Sequence, residues 1–220
     1  MVWTLRTVAL YTPILILIAI VIALFHWTRI PHKRQPFDLL GVLLWVALLV
    51  ESSSLIAMHL SLNNTMVYNA NVMLDFLLII GMVAAVLPRR TVLLPLLAGL
   101  GLAAMGTSFA LRGTVDELWL EGILVIGLLV VGLCLWMLWR TADRVEGALR
   151  REPLLWIFMG LLVYHTGMLP LVGLLDVIDT EYPTLLRNLY VLVQLLAAVQ
   201  YLMIARACAL ERERSRPAHG

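Results

Sequence analysis

The chain has 220 residues, of which 62% are hydrophobic and only 14% are charged, and its mean hydropathy is +0.94. A soluble domain has about 45–50% apolar and about 25% charged residues, so this composition excludes that class and indicates an integral membrane protein. The net charge of +2 comes from basic residues spread over short segments, so nucleic acid is not an expected partner.

Seven apolar segments have about the 20 residues that an α-helix needs to cross a bilayer. Turn or charge signals separate them, and none of them shows a signal-peptide cleavage site. We therefore predict an all-α polytopic membrane protein with one transmembrane domain over residues 1–220 and a short cytoplasmic tail at 207–220. The predicted spans are residues 7–28, 37–60, 65–88, 91–111, 117–139, 153–175 and 183–206.

The basic residues predict the orientation, because cytoplasmic loops carry an excess of Lys and Arg. Of the 16 Lys and Arg residues, only Arg6, Arg112 and Arg187 lie on the side of the membrane where the chain begins. We expect the N-terminus outside and the C-terminus in the cytoplasm of a multi-pass protein of the plasma (inner) membrane. The thirteen residues on the other side are Arg29, Lys33, Arg34, Arg89, Arg90, Arg140, Arg144, Arg150, Arg151, Arg206, Arg212, Arg214 and Arg216.

Polar side chains interrupt four of the predicted spans at a similar depth. Because ionisable groups at membrane depth face the bundle interior or a wet cavity, we predict a polar pocket between the second, third, sixth and seventh spans, opening to the outside. Spacings of three, four and seven residues place several of these groups on common helix faces. The residues predicted to bind a ligand or a proton are Glu51, Asp75, His165, Gln194, Arg187, Asn71, Asn188, Tyr68 and Tyr190.

An internal alignment of the polar residues suggests a repeat. Setting Asn69 against Asn188 brings Asp75 onto Gln194, and with a five-residue difference in the loop Glu51 falls opposite His165. This predicts a 3+1+3 parallel repeat, in which two three-helix units are joined by the fourth helix. A chance match of a few residues is the alternative interpretation.

The sequence resembles a group of small uncharacterised seven-transmembrane-helix proteins of Bacteroidetes-type bacteria. The resemblance lies in Glu51, in "NNTMVYNANVMLD" with Asp75 where those proteins have Glu, and in "EPLLWIFMGLLVYHTG". It covers about half of the chain. It implies the seven-helix architecture and no activity, ligand or catalytic residue.

Three classes of function remain open. The first is a sensor or receptor-like subunit that binds a small polar or amphipathic ligand in the outward pocket and signals to a cytoplasmic protein such as a kinase. The expected lack of an attached soluble domain and the basic segment "RTADRVEGALRRE" favour it. The second is a transporter that uses Glu51, Asp75 and His165 as proton-coupling groups. The third is an intramembrane enzyme, ranked last because no nucleophile–base or metal constellation appears.

Several further expectations follow from the residues. No cofactor or metal is expected, and Cys134 and Cys208 form no disulfide framework. The adjacent hydroxyls of Ser52, Ser53 and Ser54 are interpreted as helix-packing groups bonded to the backbone. The glycines Gly99, Gly101, Gly106, Gly160, Gly167 and Gly173 are predicted to let helices approach closely. The oligomeric state remains open.

Overall fold

The computed structural model describes residues 5–60, 62–87, 92–114, 116–145, 147–175 and 183–215, and for 5–11, 183, 184, 186 and 187 only the backbone. In these ranges the chain forms seven α-helices, one short 3-10 helix (Leu149–Arg151) and no strand. The helices are α1 (Leu5–Thr28), α2 (Gln35–His59), α3 (Thr65–Val86), α4 (Leu93–Arg112), α5 (Leu120–Arg144), α6 (Pro153–Gly173) and α7 (Pro183–Arg214).

Six of these helices, α2 to α7, are long and apolar enough to cross a membrane, and the described side chains of α1 form a shorter apolar stretch, Thr12–Thr28. Large hydrophobic side chains also cover the outside of the bundle: Leu111 is 78% exposed and Trp139 is 73% exposed. An apolar surface of this extent marks contact with lipid or with other proteins. The all-helical membrane class predicted from the sequence is therefore confirmed.

Local sequence explains where several helices begin and end. Pro36 and Pro153 occupy the first turns of α2 and α6, where proline fits because the backbone N–H groups of a first turn have no helical partner. α4 ends at Gly113, which adopts a left-handed conformation (φ = 67°) and donates its N–H to the carbonyl of Phe109. Glycine is favoured there because it has no Cβ to clash in that conformation.

The helices pack against their neighbours in chain order, and α7 packs against α1, which closes the bundle. α4 lies at the periphery, where it packs against α3 and α5. The apolar core fills the half of the bundle that contains Ile20, Phe37, Ile80, Phe158 and Ile204. We call this half the core half; it holds the end of α1, the start of α2 and the end of α3. The polar residues of the predicted pocket lie in the opposite half.

The last helix continues to Arg214, eight residues beyond the predicted end of the span at residue 206, so residues 207–214 of the predicted tail are helical. Ala207, Cys208 and Leu210 are buried, and Glu211 is only 2% exposed. The Nε and Nη2 atoms of Arg34 donate to the two carboxylate oxygens of Glu211 at 2.6 and 2.5 Å. Hydropathy marks only the part of a helix that lies in lipid. Residues 207–214 are mostly good helix formers, and they pack on the start of α2. α5 likewise continues to Arg144, beyond the predicted end at 139.

The contact between α4 and α5 depends on Gly122, which is buried. A Cβ atom at this position would lie 2.9 Å from the Cα of Met105 and 3.1 Å from the carbonyl oxygen of Ala104. Both are backbone atoms that cannot rotate away. Among the glycines predicted to serve close packing, Gly160 has backbone neighbours of this kind in α7. Gly101 and Gly167 lie close to side-chain atoms of Phe76 and Leu196, and Gly173 makes an ordinary contact with Leu124. Gly99 and Gly106 have no neighbour within 4 Å.

Gly122→Ala is expected to lower the stability of the bundle by about 1–3 kcal/mol, because the added methyl group must push α4 and α5 apart. Gly106→Ala is the matched control: it adds the same methyl group to open space and favours the helix. Thermal unfolding of the purified protein in detergent measures both. Equal midpoints for the two variants would contradict the packing argument.

Candidate functional site

A cavity of about 370 Å³ lies in the half of the bundle opposite the core half. It extends from Asn64, Thr65 and Leu118, beside the α2–α3 and α4–α5 connections, to Gln200 near the middle of α7. Its walls come from α1, α2, α3, α5, α6 and α7, and none of the described residues of α4 lines it. The polar and aromatic lining residues are Glu51, Asn64, Thr65, Tyr68, Asn71, Asp75, Phe76, Tyr164, His165, Tyr190, Gln194, Gln200 and Tyr201.

Most of the residues predicted for the pocket meet at this cavity. The exceptions lie at adjacent positions of α7. Asn188 is exposed and does not line the cavity, and the side chain of Arg187 lies outside the described residues. The structure brings together Glu51, Asp75, His165, Gln194, Asn71, Tyr68 and Tyr190.

Two acidic side chains reach the cavity from different helices, Glu51 from α2 and Asp75 from α3. The Nδ2 atom of Asn71, one turn earlier on α3, donates to Oδ2 of Asp75 at 3.1 Å. The second polar atom of each side chain, Oδ1 of Asn71 and Oδ1 of Asp75, is buried and has no hydrogen-bond partner in the described part of the chain. No Lys or Arg with a described side chain lines the cavity.

His165 of α6 lies against the edge of Tyr164, with 5.1 Å between the ring centres and an angle of 74° between the rings. Its Nδ1 atom is buried and has no hydrogen-bond partner in the ranges that the structure covers. Buried polar atoms of native proteins are nearly always paired with protein groups, water or a ligand. His165, Asn71 and Asp75 therefore present three unpaired polar atoms in one cavity.

Hydroxyl and amide groups join α2 to α3 at one wall. The hydroxyls of Ser54 and Tyr68 are 2.6 Å apart, and Nδ2 of Asn64 donates to the Ser54 oxygen at 2.8 Å. The interpretation of the serines as backbone-bonded groups holds for Ser53, whose hydroxyl donates to the carbonyl of Val50. It is wrong for Ser54, which shares the inward face with Glu51.

Polar contacts also join α7 to α1. The hydroxyl of Thr12 donates to Oε1 of Gln194. Tyr190 lines the cavity on the same helix as Gln194 and faces the same space as Tyr68 of α3. The hydrogen bonds of Ser54 with Tyr68 and of Thr12 with Gln194 thus orient two polar side chains at the cavity before any ligand binds.

Asn69 fixes the rim of the cavity and does not line it. It is buried, its Nδ2 atom donates to the carbonyl of Glu117 at 2.9 Å, and its Oδ1 atom accepts from the N–H of Trp119 at 3.2 Å. Both partners belong to the connection between α4 and α5, which is held against α3 in this way. Asn188, its counterpart in the repeat alignment, is exposed, so the two asparagines have different environments.

Sequence reasoning missed several lining residues. Tyr164, Gln200 and Tyr201 line the cavity from α6 and α7, and Asn64 and Thr65 line it from the start of α3. The spacing could have predicted Tyr201, because it lies seven residues after Gln194 and therefore on the same face of the helix. No such signal pointed to Tyr164, because it precedes His165 directly and neighbouring residues on a helix point 100° apart.

The described residues contain no group of three or more His, Cys, Asp or Glu side chains that could hold a metal ion. Comparison with protein-family models, with curated proteins and with solved structures found no match. The function must therefore be argued from the cavity.

Asn69→Ala is expected to destabilise the protein by about 1–3 kcal/mol, because it removes a buried side chain and leaves the N–H of Trp119 and the carbonyl of Glu117 without their partner. Asn188→Ala removes the same side chain from an exposed position and should change stability by no more than about 0.5 kcal/mol. Thermal unfolding in detergent compares them. A similar loss in both variants would contradict the assigned role of Asn69.

Proposed function

We propose that the protein is a membrane sensor or receptor-like subunit that binds a small amphipathic cation in the cavity and signals to a separate cytoplasmic partner. The observation that carries the proposal is the charge of the cavity. Glu51 and Asp75 line it, and no Lys or Arg among its described lining residues compensates them. A carboxylate in a poorly hydrated site is costly unless a positive charge or a proton accompanies it.

The other lining residues fit an ammonium group on an apolar body. Tyr68, Phe76, Tyr164, Tyr190 and Tyr201 supply aromatic rings. Aromatic faces attract cations, and aromatic cages are a known solution for ammonium ligands. The unpaired Oδ1 atom of Asp75 is an acceptor for an N–H donor. The volume of about 370 Å³ lies within the range of small-molecule sites.

The finer topology is part of the proposal. Seven spans with the N-terminus outside would place the α2–α3 and α4–α5 connections, and with them the rim of the cavity, on the outer side. The ligand would then enter from outside the cell. The core half, with its surrounding arginines, would face the cytoplasm.

α7 is the element best placed to transmit a signal. It contributes Tyr190, Gln194 and Tyr201 to the cavity and continues as one helix to Arg214 at the opposite end. A ligand that moves the side chains of Tyr190 and Gln194 would act directly on α7. A partner at the far end would sense its displacement.

The proposal predicts selective binding of amines. A panel of small amphipathic primary amines is titrated into the purified protein, with the corresponding neutral alcohols as the reference. At least one amine should raise the unfolding midpoint in proportion to RT ln(1 + [L]/Kd), and its alcohol should not. In Glu51→Gln and Asp75→Asn the affinity for that amine should fall about tenfold or more, because each loses a charge-assisted contact.

Glu213→Gln is the matched control, since Glu213 is exposed and distant from the cavity. It should retain the affinity of the unmodified protein. Equal stabilisation by amines and alcohols, or equal losses in all three variants, would contradict a cation site.

A proton-coupled transporter is the second candidate. A proton can replace the cation as the compensating charge, and Asp75 and His165 each hold an unpaired polar atom in the same cavity. The helix arrangement also favours it: α1, α2, α3, α5, α6 and α7 surround the cavity and α4 lies outside. A 3+1+3 parallel repeat would have this arrangement, with α4 as the linker.

Flux separates the two candidates. A transporter reconstituted in liposomes should accumulate a radiolabelled amine from the same panel only when a pH gradient is imposed, and Glu51→Gln should reduce this uptake to that of empty liposomes. Glu213→Gln should retain it. Binding of the amine without uptake would favour the sensor and exclude coupled transport of that solute.

A further inference from the structure

A second pocket, of about 640 Å³, lies at the core-half end of the bundle, where α2 and α6 begin and α3, α5 and α7 end. Its lining contains Gln35, Thr141 and a single carboxylate, Glu152. It also contains four arginines, Arg34, Arg140, Arg144 and Arg214. We call it the basic pocket. It shares no lining residue with the cavity.

Two ion pairs fix its walls. Arg34 holds the buried carboxylate of Glu211 through two hydrogen bonds, which ties the start of α2 to α7. Arg214 donates to Glu152 at 3.2 Å, which ties the end of α7 to the start of α6. The pocket is therefore bounded by elements that hold one another in place. Its shape depends on the part of α7 that continues beyond the predicted span.

The other two arginines have unneutralised charge. Arg140 and Arg144 lie one turn apart on α5, and neither has a carboxylate partner among the residues described. The guanidinium of Arg140 lies 5.7 Å from the ring centre of Trp136, a contact that leaves its N–H donors available. Since Glu211 and Glu152 neutralise Arg34 and Arg214, the pocket has an excess of two positive charges.

We propose that the basic pocket binds a phosphate group, with Arg140 and Arg144 as its principal ligands. The guanidinium donors form a planar fork that matches phosphate oxygens, and two forks one turn apart can hold one anion. Basic pockets between transmembrane helices on the cytoplasmic side are suited to anionic lipid headgroups. The apolar wall of Val86, Leu87 and Leu154 fits the start of an acyl chain. A soluble phosphate has the same headgroup chemistry and is the other source.

The test uses the full chain purified in neutral detergent. Native mass spectrometry and thermal unfolding follow titration with phosphatidylglycerol, with phosphatidylcholine as the zwitterionic reference and inorganic phosphate as the soluble arm. We expect saturable binding of phosphatidylglycerol and little of phosphatidylcholine. In the double variant Arg140→Gln/Arg144→Gln the affinity for phosphatidylglycerol should fall by about tenfold or more, because both charge-assisted contacts are lost.

The double variant Arg151→Gln/Arg206→Gln is the matched control, since both arginines are exposed, lie at the same end of the bundle and do not line the pocket. Its affinity for phosphatidylglycerol should stay within about twofold of that of the unmodified protein, because distant exposed charges are screened. Arg144→Gln alone removes one of the two proposed ligands, and it changes only a single exposed side chain.

Saturable binding of inorganic phosphate that depends on Arg140 and Arg144, without preference for phosphatidylglycerol, would assign the site to a soluble phosphate. Equal losses in the two double variants would show diffuse attraction to a basic surface and would overturn the proposal. So would the absence of saturable binding in both arms. Unchanged amine binding in Arg140→Gln/Arg144→Gln would show that any loss belongs to the basic pocket and not to the cavity.

Discussion

Glu51 and Asp75 require charge compensation, because they lie in the interior of a bundle whose outside is apolar. No Lys or Arg with a described side chain lines the cavity that they share. Such groups persist only where a proton, a cation or water accompanies them. The same requirement explains the hydrogen bonds of Ser54 with Tyr68 and of Thr12 with Gln194, since polar groups brought into the interior must satisfy one another.

This requirement divides the bundle into two halves. In the core half, side chains such as Phe37, Ile80 and Phe158 fill the interior, and apolar packing suffices to hold the helices together. In the cavity half, directional hydrogen bonds replace much of that packing, and Asn69 anchors the connection between α4 and α5 at the rim. The hydrogen-bonded groups of the cavity can exchange partners with a ligand, and α7 runs from them into the apolar core half.

The sequence predicts the features that depend on the length of the apolar segments and on the depth of the polar residues within them. It does not predict the features that depend on contacts between helices. Long apolar runs located all seven helices, and the common depth of Glu51, Asp75, His165 and Gln194 placed them correctly at one cavity. The partner of Ser54 could not be predicted, because Tyr68 belongs to the next helix. Nor could the role of Asn69, since its partners are backbone groups almost fifty residues away. The length of α7 was underestimated because hydropathy ignores the polar turns that pack on Arg34.

The continuous α7 gives the two halves a physical connection. From Gln194 in the cavity to Arg214 in the basic pocket the helix rises about 30 Å, and ion pairs tie its end to α2 and α6. A ligand that displaces α7 at Gln194 must therefore strain or relax the walls of the basic pocket. Coupling of this kind is reciprocal, so a phosphate that stabilises one position of α7 would change the affinity of the cavity by the same factor. In the proposed sensor, the lipid composition of the membrane would then set the sensitivity to the ligand.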